Sequence, residues 1–274
     1  MKKSLAGARV AITGGARGIG LATAKEFAAR GARVAIGDID AELSSRAAAE
    51  IGPDVQGLSL DVTERTSYEA FLAAAMSEGP LDVLVNNAGV MPIGPFTGMA
   101  PATYQRAVEI NVLGYLHGMH LALPSMSARG SGHIVNVAST AGKAAIPGGL
   151  AYCATKAAVV AMTETARIEY AGTGVDFTCV MPNFTNTGLI DGTVATKLFP
   201  PVEASDVARR IVEAVARGKK DVYAPAMIGS MLAAQPLMGR GLRDYVNRKL
   251  GAYDTFLHFD PEARRAYDAR VERS

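Results

Sequence analysis

The chain predicts an α/β fold built on one parallel sheet, and three observations carry the prediction. Short apolar runs of strand length alternate with longer, helix-periodic segments from residue 8 to residue 223. The first run passes directly into the glycine-rich turn Thr13-Gly14-Gly15-Ala16-Arg17-Gly18-Ile19-Gly20 and then into a helix. Successive strand-like runs end in Gly14, Asp38, Asp61, Asn86 and Ser139. Parallel sheets bind ligands at the carboxyl ends of their strands, so one ligand lying along that edge would meet all of these residues.

Taken in order, residues 8–12 form the first strand and the helix after the turn runs to about residue 30. The glycines Gly14, Gly18 and Gly20 permit positive φ and let backbone N–H groups approach an anion at the helix amino end. Their spacing, Gly-x3-Gly-x-Gly, departs from the commoner Gly-x-Gly-x-x-Gly. Residues 32–37 form a second strand ending in Asp38, about 20 residues past the turn, where a carboxylate can accept hydrogen bonds from the ribose hydroxyls of a dinucleotide. Asp38 would equally serve as the cap of a helix at 41–51. Next come a strand at 55–60, a helix at 64–77, a strand at 83–85 followed by Asn86-Asn87-Ala88-Gly89, a long helix at 101–127 holding Gly114 and Pro124, and a strand at 133–137. Any single Asn-Gly cluster is an ordinary turn. A helix from 150 to about 172, a strand at 175–181, an aperiodic stretch to residue 201 of lid length, a helix at 204–217 and a strand at 221–223 complete the body, making seven strands.

Chemistry concentrates between Ser139 and Lys156. Ser139 lies just past a strand, Tyr152 in the first turn of a helix, and Lys156 four residues later on the same face. A phenol has a reference pKa of about 10, and a neighbouring ammonium favours its ionised form. Lys156 is placed to lower Tyr152 in this way, while Ser139 can hold the oxygen of a carbinol or carbonyl substrate. The plainer reading is a strand-end serine beside a partly exposed Tyr/Lys pair.

Composition excludes several classes. An apolar share of 49% in 274 residues allows one large core, hence a single domain. A net charge of +2 without a block of like charges leaves no footprint for nucleic acid. Cys153 and Cys179 are the only cysteines, no secretory leader precedes Leu5, and no apolar run reaches the length of a membrane span, so a reduced, cytoplasmic protein without a transmembrane segment is expected. Cys153 reads as a small packing residue. His117, His120, His133 and His258 lack ligand-spaced companions, so no metal is expected.

With these residues in order, residues 5–223 resemble the short-chain dehydrogenase/reductase family. The resemblance rests on Thr-Gly-x3-Gly-x-Gly at 13–20, Leu60-Asp61-Val62, Asn-Asn-Ala-Gly at 86–89, Asn111, Ser139 and Tyr-x3-Lys at 152–156. It implies a doubly wound, Rossmann-type seven-stranded sheet with helices on both faces, binding a nicotinamide dinucleotide. It further implies Tyr152 as acid/base, Lys156 as its electrostatic partner and ligand of the nicotinamide ribose, Ser139 as donor to the substrate oxygen, and Asn111 as holder of a relay water. Around the cofactor it implies Gly14, Arg17, Gly18, Ile19 and Gly20 in the turn, Asp38 at the ribose, and Asp61 with Val62 at the adenine. Asn87, Ala88 and Gly89 would line the adenosine ribose, and Pro182, Thr185 and Thr187 would flank the carboxamide. Asn183 stands where the family usually has glycine; an asparagine tolerates positive φ and would narrow the space beside the nicotinamide.

The expected reaction is hydride transfer between nicotinamide C4 and a secondary alcohol or ketone, with a non-catalytic dinucleotide sensor as the rival class. NAD is preferred to NADP because Asp38 would repel a 2′-phosphate, although Arg17 could pair with one. Apolar residues on more than one face of the helices at 101–127 and 150–172, among them Val108, Val112, Tyr115, Val159, Met162 and Ile168, need a cover, and the family resemblance implies that these helices pair with symmetry mates in a homodimer or homotetramer. Residues 224–274 form a helical extension to the domain at 1–223. Its methionine-rich run at 227–238 and amphipathic run at 239–250, with Leu242, Tyr245, Val246 and Leu250 opposite Arg240, Arg243, Arg248 and Lys249, read as ordinary packing, as a pocket cover, or as a weak membrane-surface contact. Asp260-Pro261 starts a capped, charged helix. Apolar residues Phe184, Leu189, Ile190, Leu198 and Phe199 in the preceding loop point to a bulky hydrophobic substrate.

Overall fold

The computed structural model describes residues 3–194, 200–249, 251 and 255–271. Leu198, Phe199 and Leu250, and the side chains of Arg240, Arg243 and Val246, lie outside the described residues. Seven parallel strands form one sheet: β1 (Arg9–Thr13), β2 (Arg33–Asp38), β3 (Val55–Ser59), β4 (Val83–Asn86), β5 (Gly132–Val137), β6 (Val175–Pro182) and, after a two-residue ladder of β7 (Thr185–Asn186) with β8 (Val202–Glu203), β9 (Asp221–Ala224). Their order is β3-β2-β1-β4-β5-β6-β9. The chain steps outward from β1 to β3, then returns to pair β4 on the other side of β1, which leaves a crevice at the carboxyl ends of β1 and β4.

The alternation in β1 explains how the sheet is covered on both faces. Val10 and Ile12 join the cluster containing Phe27 of α1 (Gly18–Ala28), Ala47 and Ala48 of α2 (Ala41–Ile51) and Val207, Ile211 and Val212 of α7 (Ala204–Arg217). Ala11 joins the opposite cluster, with Tyr68 and Phe71 of α3 (Arg65–Ala75), Ala107 of α4 (Pro101–Val108), Leu123 of α5 (Gly114–Arg129) and Ala166 of α6 (Leu150–Glu169). Each large apolar side chain buried this way contributes roughly 1.5–3 kcal/mol.

Two local expectations change. The helix predicted at 101–127 is continuous but opens into a π-turn at Glu109–Leu113 between α4 and α5. There the side chain of Asn111 leaves the helix surface to clasp the backbone of Val90, and a Cβ on Gly114 would stand 2.9 Å from Val62 Cγ2, so a glycine is required where the helix presses on the loop after β3. The cap of α2 is Asp40, which accepts from Leu43 N at 2.9 Å, and not Asp38.

In the extension, α8 (Met227–Ala234), α9 (Arg240–Lys249) and α10 (Pro261–Val271) follow β9. Asp260 caps α10 by accepting from Glu262 N and Ala263 N, as its position before proline predicts. Met227, Met231, Leu237, Leu242 and Tyr245 are exposed, so the methionine side of the 227–238 segment does not pack. Ile228 alone among the α8 residues is buried.

Candidate active site

A cavity of about 500 Å³ opens along the carboxyl edge of the sheet. All the predicted catalytic and cofactor-binding residues line it except Gly20 and Asn111.

At one end the loops after β1 and β4 are laced together. Thr13 Oγ1 accepts from Asn87 N and Ala88 N at 2.9 and 3.0 Å, and the Asn87 amide donates to the carbonyls of Thr13 and Gly14. The Asn87 side chain is therefore a brace for the turn, and Asn87, Ala88 and Gly89 line the cavity. The turn needs its glycines: Gly14 and Gly18 have φ of +61° and +55°, and a Cβ on Gly20 would approach Gly14 O to 2.2 Å. A Cβ on Gly89 would intrude between Asn111 Oδ1 and Lys156 Nζ, at 3.1 and 3.3 Å. Bare backbone at these points, with Ile19 and the first turn of α1, makes a cradle of the kind a dinucleotide diphosphate occupies.

Asp38 is buried at the end of β2, accepting from Ala16 N and Asp40 N. Arg17 lies between two acids, 3.7 Å from Asp38 and 3.5 Å from Asp40. Asp61 accepts from Thr63 N and Oγ1 and stands 3.7 Å from Arg106, with Val62 beside it. Ile39 and Arg106 also line this end, and sequence reasoning passed over both because neither belongs to a recurring pattern.

At the other end, Ser139 Oγ accepts from Ala141 N at 3.1 Å and hydrogen bonds the Tyr152 hydroxyl. Lys156 Nζ donates to Val137 O at 2.9 Å and to Tyr115 Oη at 3.4 Å, and lies 5.9 Å from the Tyr152 ring centre. Tyr115 in turn donates to Val137 O, so a buried triangle fixes the lysine. Of the apolar residues named on these helices, Tyr115 and Val159 are on the face buried against the sheet, and the Tyr115 hydroxyl finds its partners in Val137 O and the buried ammonium. Asn111 accepts from Val90 N and donates to Val90 O and to Thr155 Oγ1, which itself donates to Tyr152 O; it aligns α6 with the loop after β4.

Burial governs the acidities here, and it reverses one expectation. The Tyr152 phenol is pushed up by desolvation, only partly offset by the Ser139 hydrogen bond; Lys156 does not bring it below the ordinary value. The same desolvation lowers Lys156 to about 8. The Tyr152 phenol is accordingly neutral at pH 7.

Beyond Tyr152 the wall is apolar. Met91, Ala141, Tyr152 and Phe256 form a buried cluster edged by Ile146, Phe184, Leu189 and Ile190. The cover comes from Phe256, Tyr267, Arg270 and Val271, and not from the methionine-rich segment, no described residue of which lines the cavity. Arg264 docks α10: almost fully buried, it donates to the carbonyls of Met91, Leu189 and Asp191. Tyr267 Oη accepts from Met91 N at 2.7 Å. The capping signal at Asp260 marks the helix, but nothing in its sequence marks where it lands.

The loop after β6 is also more ordered than its composition predicts, with the β7–β8 ladder and a 3-10 turn at Gly188–Ile190 capped by Thr187. Thr185 donates to Asn183 O and Thr187 to Thr185 O. Every non-glycine residue described has negative φ, so Asn183 occupies ordinary backbone space. The residue lines the cavity, and its side-chain oxygen accepts from Thr140 Oγ1.

Comparison with known proteins agrees with this geometry. The chain is 32% identical to the 17-beta-hydroxysteroid dehydrogenase 13 of Rattus norvegicus over 254 residues, 90% of this chain and 84% of that protein. It is 36% identical to the sorbitol dehydrogenase of Cereibacter sphaeroides over 244 residues, 87% of this chain and 90% of that protein. A short chain dehydrogenase/reductase from Burkholderia phymatum, solved in complex with NAD, superposes with a TM-score of 0.78 at 26% identity, covering 85% of this chain and 94% of that one. The short chain dehydrogenase model matches residues 8–197, from β1 through the site to the loop beyond β6, and the chain belongs to that family.

Proposed function

We propose that the chain is an NAD-dependent dehydrogenase acting on a secondary alcohol or its ketone, with a bulky hydrophobic substrate. The observation that carries the reading is the convergence of Ser139, Tyr152 and Lys156 on one end of a cavity whose other end is a glycine cradle closed by Asp38. A nicotinamide dinucleotide, when bound, supplies the hydride chemistry. Gly14, Gly18 and Ile19 would hold its diphosphate, Asp38 its adenosine ribose, Asp61 and Val62 its adenine, and Pro182, Thr185 and Thr187 its carboxamide side. In the reductive direction Tyr152 donates its proton to the carbonyl oxygen while Ser139 hydrogen bonds the same atom. Lys156 stabilises the phenolate left behind, and protonation from solvent restores the phenol. In oxidation Tyr152 takes the hydroxyl proton, which requires the phenolate first. Asn111 acts from behind, positioning α6 and the loop after β4.

The choice of NAD rests on Asp38, which is buried and already anchored by two backbone N–H groups, while Arg17 is neutralised by Asp38 and Asp40. The hydrophobic substrate rests on the cluster around Tyr152 and Phe256. Relatives named for a sugar alcohol favour a second substrate class. A scan of hydroxysteroids, terpenoid and long-chain secondary alcohols against sorbitol and galactitol, each with NAD and NADP, separates these readings. The proposal expects turnover with apolar alcohols and NAD, and turnover confined to polyols, or equal efficiency with NADP, would refute the corresponding part.

We also infer a homo-oligomer, dimer or tetramer, because Val108, Leu113, Leu116, Leu150 and Ile168 leave apolar surface exposed along α4 to α6. Light scattering at micromolar concentration is the check, and a monomer mass would count against it. Cytoplasmic residence remains part of the reading; no helix among the described residues is long and apolar enough to cross a membrane.

A further inference from the structure

The cavity has a roof that neither the glycine cradle nor the strand ends supply: the last turn of α10 crosses it. A guanidinium nitrogen of Arg270 lies 3.3 Å from the point a Cβ on Gly188 would take. The preceding residue, Thr187, brings its Cγ2 within 3.2 Å of the corresponding point on Gly18, the first residue of α1. On the opposite side Val271 packs against the apolar cluster that contains Val62, Val90 and Ile110. Arg270, Gly188, Thr187 and Gly18 line one cavity. The guanidinium thus stands one residue of loop away from the α1 amino terminus, above the stretch between the two ends of the site.

The other cations of the cavity are committed. Arg17 lies between Asp38 and Asp40, Arg106 between Asp61 and Glu109, and Lys156 donates to Val137 O. Arg270 has the ring of Tyr267, 5.4 Å from its guanidinium carbon, and an acid nearby in Asp191, whose Oδ2 also lies 3.3 Å from the point a Cβ on Gly188 would take without forming a salt bridge to the guanidinium. A guanidinium resting on a ring keeps its planar fork of donors free, a geometry matched to a pair of phosphate oxygens. Its place is fixed by the docking of the whole helix through Arg264 and Tyr267.

We propose that Arg270 is a cofactor-binding residue that clamps the dinucleotide diphosphate from the side opposite the glycine cradle, making α10 a strap across the cofactor. This rests on the dinucleotide reading of the cavity given above. The diphosphate is held from below by backbone N–H groups and from above by a side-chain charge that arrives from the far end of the chain.

The test is equilibrium binding to the full chain of NADH, ADP-ribose and adenosine. Arg270→Gln is expected to raise the Kd of NADH and of ADP-ribose by about tenfold, the worth of one charge-assisted contact, and to leave adenosine unchanged. Arg270→Lys recovers part of the loss. Arg265→Gln, at an exposed arginine of the same helix paired with Glu262, changes none of the three. Unchanged binding of NADH and ADP-ribose by Arg270→Gln overturns the proposal. So does an equal loss for adenosine, which would mean that the residue only holds the helix in place. A higher KM confined to a carboxylated alcohol, with the Kd of NADH unmoved, would transfer Arg270 to an acidic substrate group and overturn it as well. Failure of the parent chain to bind NADH would instead strike the dinucleotide reading itself.

Discussion

The two ends of the cavity are built by different means. The nucleotide end is backbone: glycines at 14, 18 and 89, a carboxylate at a strand end, and two loops laced through Thr13 and Asn87. The substrate end is side-chain packing gathered from four places, with Met91 after β4, Ile146 after β5, Phe184 and Leu189 after β6, and Phe256 from the extension. Backbone recognition tolerates almost no substitution, since a Cβ at Gly20 would meet a carbonyl at 2.2 Å. An apolar wall can be made from many residues in many shapes. That asymmetry accounts for relatives named for a steroid and for a sugar alcohol on one scaffold.

The comparison can be broken most severely at the boundary between the two ends. Tyr152→Phe keeps the ring and removes the acid, so turnover should fall by about 10² to 10⁴ while NADH binding persists. Because burial holds the Tyr152 phenol above its ordinary value, the parent enzyme should oxidise alcohols faster as pH rises from 6 toward 8, where Lys156 still keeps much of its charge, and reduction should not share that rise. Parent-like turnover in the Phe variant, or an oxidation rate that falls with pH over that range, would remove Tyr152 from its role.

At the nucleotide end, Asp38→Asn removes the charge that would face a 2′-phosphate. Two like charges about 4 Å apart repel by roughly 4 kcal/mol at an effective dielectric of 20, less after screening. The ratio of kcat/KM for NADP over NAD should therefore rise about 10- to 100-fold, and an unchanged ratio would show that Asp38 does not read the ribose.

The smallest effect belongs to the substrate end. Phe256→Ala removes the buried ring that meets Phe184 edge-on at 5.7 Å. KM for a bulky apolar alcohol should rise about tenfold, in line with a lost aromatic contact and a new void, while the Kd of NADH stays put. Equal losses in both would mean that the two ends are a single packing unit. A stable variant with neither loss would detach the extension from specificity.

How much of this was legible in sequence follows the same division. Strand-helix alternation and the glycine turn specify a parallel sheet and its crevice because period and φ are local properties, readable a few residues at a time. Ser139, Tyr152 and Lys156 were legible because two of them are one helical turn apart and the third ends a strand. The sign of the Tyr152 shift was not legible, since desolvation depends on Met91, Phe256 and others distant in sequence. Tyr115 read only as one of several apolar residues on more than one face of its helix, and it steadies Lys156; a helix that is apolar all round does not announce which face meets the sheet.

The extension divides most sharply. Its sequence alone determined a helix capped at Asp260, since capping needs only the backbone N–H groups of the next residues. Tertiary structure alone decided that this helix, and not the methionine-rich one before it, would cover the site. Arg264 found three carbonyl acceptors that a buried guanidinium requires, and those carbonyls belong to loops more than 70 residues away.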